Sequence, residues 1–250
     1  MPDTAPVSPA AEQSEQHWSA WRRWRWLLIT CVVALGWMGF ELATLPFGEI
    51  NKLRNSRPGE TAFMREQAEQ ARENGRKFHK SQQWVSLDRI PRSLINAVVV
   101  AEDGQFWWHS GFDWFEFRKS VERNLKEGRA ARGASTITQQ LVKNLFLSPS
   151  KNPVRKLREW VLTWWMERTL AKRRILELYL NVIEWGPGIY GAQAASEFYF
   201  HKDVSELTRE ESVRLAAVIP NPRRHSPDEQ SEYLERRIAL ILERMEARGY

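Results

Sequence analysis

Fifteen consecutive residues without a charge, Trp26 to Phe40, constrain this chain more than any other feature. After Glu41 the apolar run resumes from Leu42 to Phe47, and Pro46 suits the place where a helix stops. As a helix, the segment 26–47 spans roughly 33 Å at about 1.5 Å per residue. That is enough to cross a hydrocarbon core of about 30 Å. Glu41 sits close enough to one end to reach toward the headgroups. Four of the thirteen tryptophans, Trp18, Trp21, Trp24 and Trp26, crowd the N-terminal side, where aromatic rings seat at a bilayer interface. A cleavable signal would need small residues at its end, and Ala43-Thr44-Leu45 is a poor site. A buried core helix is not normally preceded by Trp-Arg-Arg-Trp-Arg-Trp. Residues 1–17, rich in Pro, Ala, Ser, Gln and Glu, read as a disordered tail. Arg22, Arg23 and Arg25 flank one side of the span and Lys52, Arg54 and Arg57 the other, so charge does not orient it. Large C-terminal domains can translocate whatever their charge.

The remainder of a 250-residue chain suits one catalytic-sized domain, expected over 48–250. With 27% charged and 42% hydrophobic residues it is globular in composition. The net charge of +6 favours an anionic partner without choosing among a membrane surface, phosphates and nucleic acid. A single cysteine, Cys31, excludes an intrachain disulfide framework.

From residue 60 onward apolar residues recur at helical spacing, with no run of alternating strands and no internal repeat, so the fold class is mainly α. Pro91 can open a helix whose stripe is Leu94, Ile95, Val98 and Val99. Trp160, Val161, Trp164, Trp165 and Met166 mark a second helix, and Ile175, Leu176, Tyr179, Leu180 and Ile183 a third. Ser205 can cap a helix through Leu207, Val213, Leu215 and Val218 that Pro220 and Pro222 end. Gly186, Pro187, Gly188 and Gly191 mark a loop.

Three segments carry chemistry. In the first, Glu102 continues the stripe of Leu94 and Val98, so its carboxylate is expected to be partly desolvated, which makes it a better proton acceptor near neutral pH. A solvated Glu-Asp pair at a helix end is the plainer alternative. His109, without a second His or Cys at ligand spacing, is a packed histidine rather than a metal ligand. The second segment, Gly133 to Asn144, is dense in hydroxyls and amides and ends in a cation, which suits sugar hydroxyls and phosphate oxygens, or else a capped helix. In the third, Arg155 and Glu159 lie four apart on one helix face. Nine Lys or Arg against two Glu fall between Lys143 and Arg174, which suits a pyrophosphate, an anionic bilayer or nucleic acid equally.

Taken together, and in this order, these segments resemble glycosyltransferase family 51, the peptidoglycan glycosyltransferases. Glu102-Asp103 with Phe106, His109 and Gly111 is similar to the first motif, Gly133 to Asn144 to the second, and Arg155-Lys156 with Glu159 to the third. Lys172, Ile175-Leu176-Glu177, Tyr179-Leu180-Asn181 and the glycine loop look like the remaining signature. Several short motifs in register are specific where one is not. Ala134 stands where a second glycine is common. Ser148-Pro149-Ser150-Lys151 has the spacing of a transpeptidase element, but no Lys-Thr-Gly follows it, which points to the branch of the family without that domain.

The resemblance implies a lysozyme-like helical domain behind one transmembrane helix, with 1–25 on the cytoplasmic side, the enzyme in the bacterial inner membrane and the catalytic domain on the periplasmic side. It implies a transferase that joins lipid II to a lipid-linked glycan chain by a β-1,4 bond, with inversion and release of the polyprenyl pyrophosphate. Glu102 is then the base, and Glu159 positions Arg155 or assists the leaving group. Asp103, Phe106, His109, Ser135, Thr136, Gln139, Gln140, Lys143, Asn144 and Arg155 are the expected substrate-binding residues. A divalent cation, Mg or Mn, could share the pyrophosphate work through Asp103. Division or elongation proteins are the expected protein partners, and no nucleic-acid recognition motif is present. The rival readings are a lytic transglycosylase or hydrolase on the same scaffold, which needs no pyrophosphate site, and a non-catalytic cell-wall scaffold.

Overall fold

The computed structural model describes residues 9–127, 135–148 and 153–250. It divides into two compact units, Met1–Leu45 and Pro46–Tyr250. The first is one helix, α1, Pro9–Ala43. Trp26, Leu28, Val32, Val33, Leu35 and Phe40 are all exposed on it, an arrangement that suits lipid rather than water. Among the described residues this is the one helix long and apolar enough to cross a membrane.

Its ends differ from the expectation. The tail expected over 1–25 is helical from Pro9, and residues 1–8 lie outside the described residues. Ala, Glu and Gln over residues 10–16 are strong helix formers, a preference that a count of polar residues hides. The helix stops at Ala43, short of Phe47. Leu45 precedes Pro46, and a residue before proline is disfavoured from helical geometry.

The second unit begins with the short helix α2, Phe47–Lys52, and then α3, Ala62–Glu73. The helices α4 (Arg92–Glu102), α5 (Trp114–Glu127), α6 (Ile137–Phe146), α7 (Pro153–Thr169) and α8 (Lys172–Val182) follow. The last three are α9 (Ala192–Phe200), α10 (Arg209–Val218) and α11 (Glu232–Glu246). The mainly α class holds; the sheet consists of β1 (Ser81–Gln82), β2 (Glu184–Gly186) and β3 (Ile189–Tyr190) in the order β1-β3-β2. The first pairing is parallel and the second antiparallel.

Pro91 is the N-cap of α4 rather than its first helical residue. The expected cap at Ser205 is displaced too. Ser205 lies in a short turn closed by Asp203 and Glu206, and α10 starts after Thr208, whose hydroxyl and the Glu211 carboxylate form a capping box. The Thr-x-x-Glu spacing satisfies two orphan N–H groups at once, which a lone serine does not.

Two packed groups of helices frame the site. In one, α4, α10 and α11 pack on one another; in the other, α6 lies against α3, α7 and α8. Leu94, Ala97, Val98 and Val100 of α4 are buried. Burying a Leu or Val side chain contributes about 1.5–3 kcal/mol. Asn181 of α8 fixes the segment after β1: its side chain both donates to Val85 O and accepts from Val85 N at 2.9 Å. Gly188 turns β2 into β3 at φ +75, and a Cβ there would fall 2.2 Å from the His79 carbonyl. Helix α2 is keyed to α7: the Phe47 and Trp165 rings meet at 5.1 Å, and Trp165 Nε1 donates to Asn51 Oδ1 at 3.1 Å.

Candidate active site

Glu102 is the last residue of α4, on the line of Leu94 and Val98, and only 10% of its side chain is exposed. Two donors hold it. Arg237 Nη2 on α11 meets Oε1 at 2.9 Å, and Gln140 Nε2 on α6 meets Oε2 at 2.9 Å. The Gln140 amide cannot be turned over, because its Oε1 accepts from the Tyr179 hydroxyl at 2.8 Å while its nitrogen faces a carboxylate that can only accept when ionised. Burial, then the charges of Glu102 and Asp103, push the Tyr179 hydroxyl well above its ordinary pKa, so it remains a donor. A polar chain thus runs Tyr179, Gln140, Glu102, Arg237 and on to the Ala217 carbonyl, which Arg237 Nε meets at 2.9 Å.

Asp103 turns the other way. The Ile137 N–H donates to its Oδ2 at 2.9 Å, and His109 Nε2 donates to both oxygens at 2.8 and 3.0 Å. The Gly111 N–H donates to His109 Nδ1 at 3.0 Å, so that nitrogen is the acceptor and the ring proton sits on Nε2. The carboxylate stabilises the N-terminal end of α6 directly. Thr136 caps the same helix in a reciprocal box with Gln139 and donates its hydroxyl to the Gly111 carbonyl at 2.8 Å. Gly111 has φ +94, and a Cβ there would sit 2.9 Å from Thr163 Cγ2, so glycine alone fits between this loop and α7. Phe106 is fully buried, with Lys172 Nζ 4.4 Å from its ring centre.

Of the expected substrate-binding residues, Asp103, Phe106, Thr136 and Gln139 are buried, and His109 bonds to Asp103 and Gly111. In the hydroxyl-rich run, Thr136 is the helix cap. Both oxygens of Asp103, the suggested metal ligand, accept hydrogen bonds from His109 and the Ile137 N–H. Among the described residues no group of three His, Cys, Asp or Glu could hold an ion. Gly133 and Ala134, and Pro149 to Lys151, lie outside the described residues.

The cations gather one turn further along α6. Lys143 follows Gln140 by three residues, a rise of about 4.5 Å on the same face. Asn144 donates to the Gln140 carbonyl at 2.8 Å, and Ser135 is half-buried before the cap. On α7, Arg155 Nη1 reaches Glu159 Oε2 at 2.8 Å, and Lys156 Nζ reaches Glu159 Oε1. Glu159 is buried with 3% of its side chain exposed, and those two cations offset the cost of enclosing it. The Lys143 side chain opens to solvent, but desolvation by the surrounding protein lowers its pKa; Glu159 raises it, Arg155 and Lys156 lower it, and Glu102 raises it. Carboxylate and cations therefore share one electrostatic neighbourhood, across a single face of α6.

The residue that the sequence reading missed is Arg237. Its signal was present: it lies three residues after Leu234 and four before Ile241, both buried, so it is a cation on the apolar face of an amphipathic helix.

Around this site the chain is similar to known proteins. Residues 68–246 match the Transglycosylase family. Relatives named biosynthetic peptidoglycan transglycosylase include that of Thiobacillus denitrificans, 48% identical over 74% of this chain and 79% of its own length. That of Methylobacillus flagellatus is 45% identical over 75% of this chain and 82% of its own length. That of Dechloromonas aromatica is 41% identical over 89% of this chain and 96% of its own length.

Proposed function

Because the chain belongs to the transglycosylase family, we propose that it extends peptidoglycan glycan strands by joining lipid II to a strand held on a polyprenyl pyrophosphate. The chain is a glycosyltransferase of mainly helical fold, and the matched region is a transglycosylase domain. The observation that supports the finer reading is that Glu102 is bonded by Gln140 of α6, while Lys143, three residues further along the same helix, feels the charges of Glu102, Glu159 and Arg155.

In this reading the acceptor sugar hydroxyl gives its proton to Glu102 as its oxygen bonds to the donor's anomeric carbon. The bond from that carbon to the phosphate oxygen breaks, and its electron pair leaves with the pyrophosphate. Attack from the face opposite the leaving group inverts the α linkage to β. The transition state is oxocarbenium-like, as in glycoside hydrolysis, so negative charge builds on the phosphates. Lys143 and Arg155 stabilise that charge, and Glu159 holds Arg155 and Lys156 in place while doing so. Ser135 and Asn144, both half-buried, are the further polar side chains assigned to binding the donor. A pair of carboxylates suffices for hydrolysis, whereas the cationic cluster suits a diphosphate and favours synthesis over cutting.

The lipid-borne substrates suit the rest of the surface. The apolar part of α1 anchors the enzyme in the inner membrane, with the Pro46–Tyr250 unit on the periplasmic side. Trp107, Trp108, Trp114, Phe115 and Phe117 are exposed between α4 and the end of α5, and Trp160 and Trp164 on α7, as expected of a lobe that touches lipid. Incubating purified full-length enzyme with lipid II in detergent tests the reading: long glycan chains and free polyprenyl pyrophosphate are expected from the wild type, and from Glu102→Gln only at a residual rate roughly 10²- to 10⁴-fold lower. Chain growth by folded Glu102→Gln at the wild-type rate would remove the base, and cleavage of polymer without growth would identify a lytic enzyme.

A further inference from the structure

Glu102 is held from far along the chain. Arg237 contributes one donor to Glu102 and another to the Ala217 carbonyl, each at 2.9 Å, so its guanidinium is fixed between α4, α10 and α11. Its side chain is only 16% exposed. A planar fork with two donors fixed on two helices is rigid, unlike a lysine on the same stem. A carboxylate as enclosed as Glu102, with no counter-charge, would favour its protonated form, and a protonated carboxyl cannot take a hydroxyl proton. The ion pair works against that outcome and also selects the side-chain rotamer.

We propose that Arg237 is a positioning residue for glycosyl transfer, holding the Glu102 carboxylate in place and ionised so that it can accept the proton of the attacking hydroxyl. This rests on the reading of Glu102 as the base. Arg237 forms and breaks no covalent bond in the step; the proton moves from the acceptor hydroxyl to a Glu102 oxygen.

Other charged groups around Glu102 have different tasks. Lys143 faces it from α6 with Glu159, Arg155 and Lys156 beyond. From α8 comes the protonated Tyr179 hydroxyl, acting through Gln140. Asp103 is bound to His109 and the Ile137 N–H. After α11, the Arg248 guanidinium lies against Gly104. On α10, Arg214 turns toward Glu210 and Glu235. Arg237 is therefore the cation whose loss changes the immediate surroundings of the base while leaving the Lys143 cluster intact.

The test is the pH dependence of lipid II polymerisation by full-length enzyme in detergent, for wild type, Arg237→Met, Arg237→Lys, Glu102→Gln and the Glu102→Gln/Arg237→Met pair. Arg237→Met should lower kcat roughly 10- to 100-fold, short of the roughly 10²- to 10⁴-fold that general base catalysis contributes. Its KM should stay within about twofold. The acidic limb of its kcat profile should move to higher pH, and Arg237→Lys should recover part of the rate. In the Glu102→Gln background, Arg237→Met should cost nothing further, because a positioning residue acts through the group it positions. The neutral pair also removes the buried unpaired charge, so it gives an answer if Arg237→Met alone fails to fold. An unchanged kcat and pH profile in folded Arg237→Met would overturn the inference, as would a raised KM at constant kcat or an additional loss in the Glu102→Gln background. If Glu102→Gln is inactive and Arg237→Met normal, only the role of Arg237 falls. If Glu102→Gln is fully active, the base assignment falls first.

Discussion

Gln140 Nε2 donates to Glu102 Oε2 at 2.9 Å while the same side chain accepts from a buried tyrosine, so one amide on α6 orients the carboxylate at the end of α4. Replacing it with Ala takes one partner from each neighbour. The Tyr179 hydroxyl, fully buried, would lose its acceptor, and an unpaired buried donor costs about 1–3 kcal/mol. Gln140→Ala should lower both the melting temperature, followed by tryptophan fluorescence in detergent, and kcat.

Tyr179→Phe separates the two effects. It removes only the donor to Gln140 Oε1 and leaves the amide contact to Glu102 possible. The expected outcome is a stability loss of about 1 kcal/mol with a smaller fall in kcat than Gln140→Ala shows. Equal rate losses in the two variants would mean that the hydroxyl itself acts in the chemistry.

Thr136→Ala tests whether the hydroxyl-rich segment meets substrate or builds the helix. The cap and its bond to the Gly111 carbonyl are lost, which should lower stability by about 0.5–2 kcal/mol. KM for lipid II should not move, and a KM several-fold higher in a well-folded variant would restore the substrate-lining role.

Gly111→Ala meets two obstacles, a φ of +94 and a Cβ placed 2.9 Å from Thr163 Cγ2. Where an alanine cannot adopt the native φ, the cost exceeds about 1 kcal/mol. The loop from His109 to Phe112 would shift away from α7, and a thermal melt should register the loss before any assay does.

Lys143 gives a pH signature. Desolvation holds its ammonium below the ordinary 10.5, so the charge that would stabilise the leaving pyrophosphate is lost at a lower pH than for a free lysine. The same sign applies to stability: the enclosed ammonium opposes folding below the lowered value, and this penalty disappears as pH rises through 10.5. Activity should therefore fall on the alkaline side, and Lys143→Arg should move that limb upward. Lys143→Ala should reduce kcat at every pH with little change in melting temperature. An alkaline limb left in place by Lys143→Arg would assign it to another group.

Local periodicity and spacing determined a good part of this protein. The apolar helix over 26–40, the burial of Glu102 on the line of Leu94 and Val98, and the pairing of Arg155 with Glu159 each depend on residues within about two helical turns. Capping spacings such as Thr136 with Gln139 are local in the same sense. What the tertiary structure alone decided are the contacts whose partners lie far apart in the chain: Arg237 with Glu102 across 135 residues, Tyr179 with Gln140 across 39, and Asp103 with the Ile137 N–H across 34. A side chain's chemistry does not encode which helix it will face. That follows from how α4 packs on α11 and α6 on α8, and the polar groups carried on those helices then find partners because leaving them unpaired in the interior costs too much.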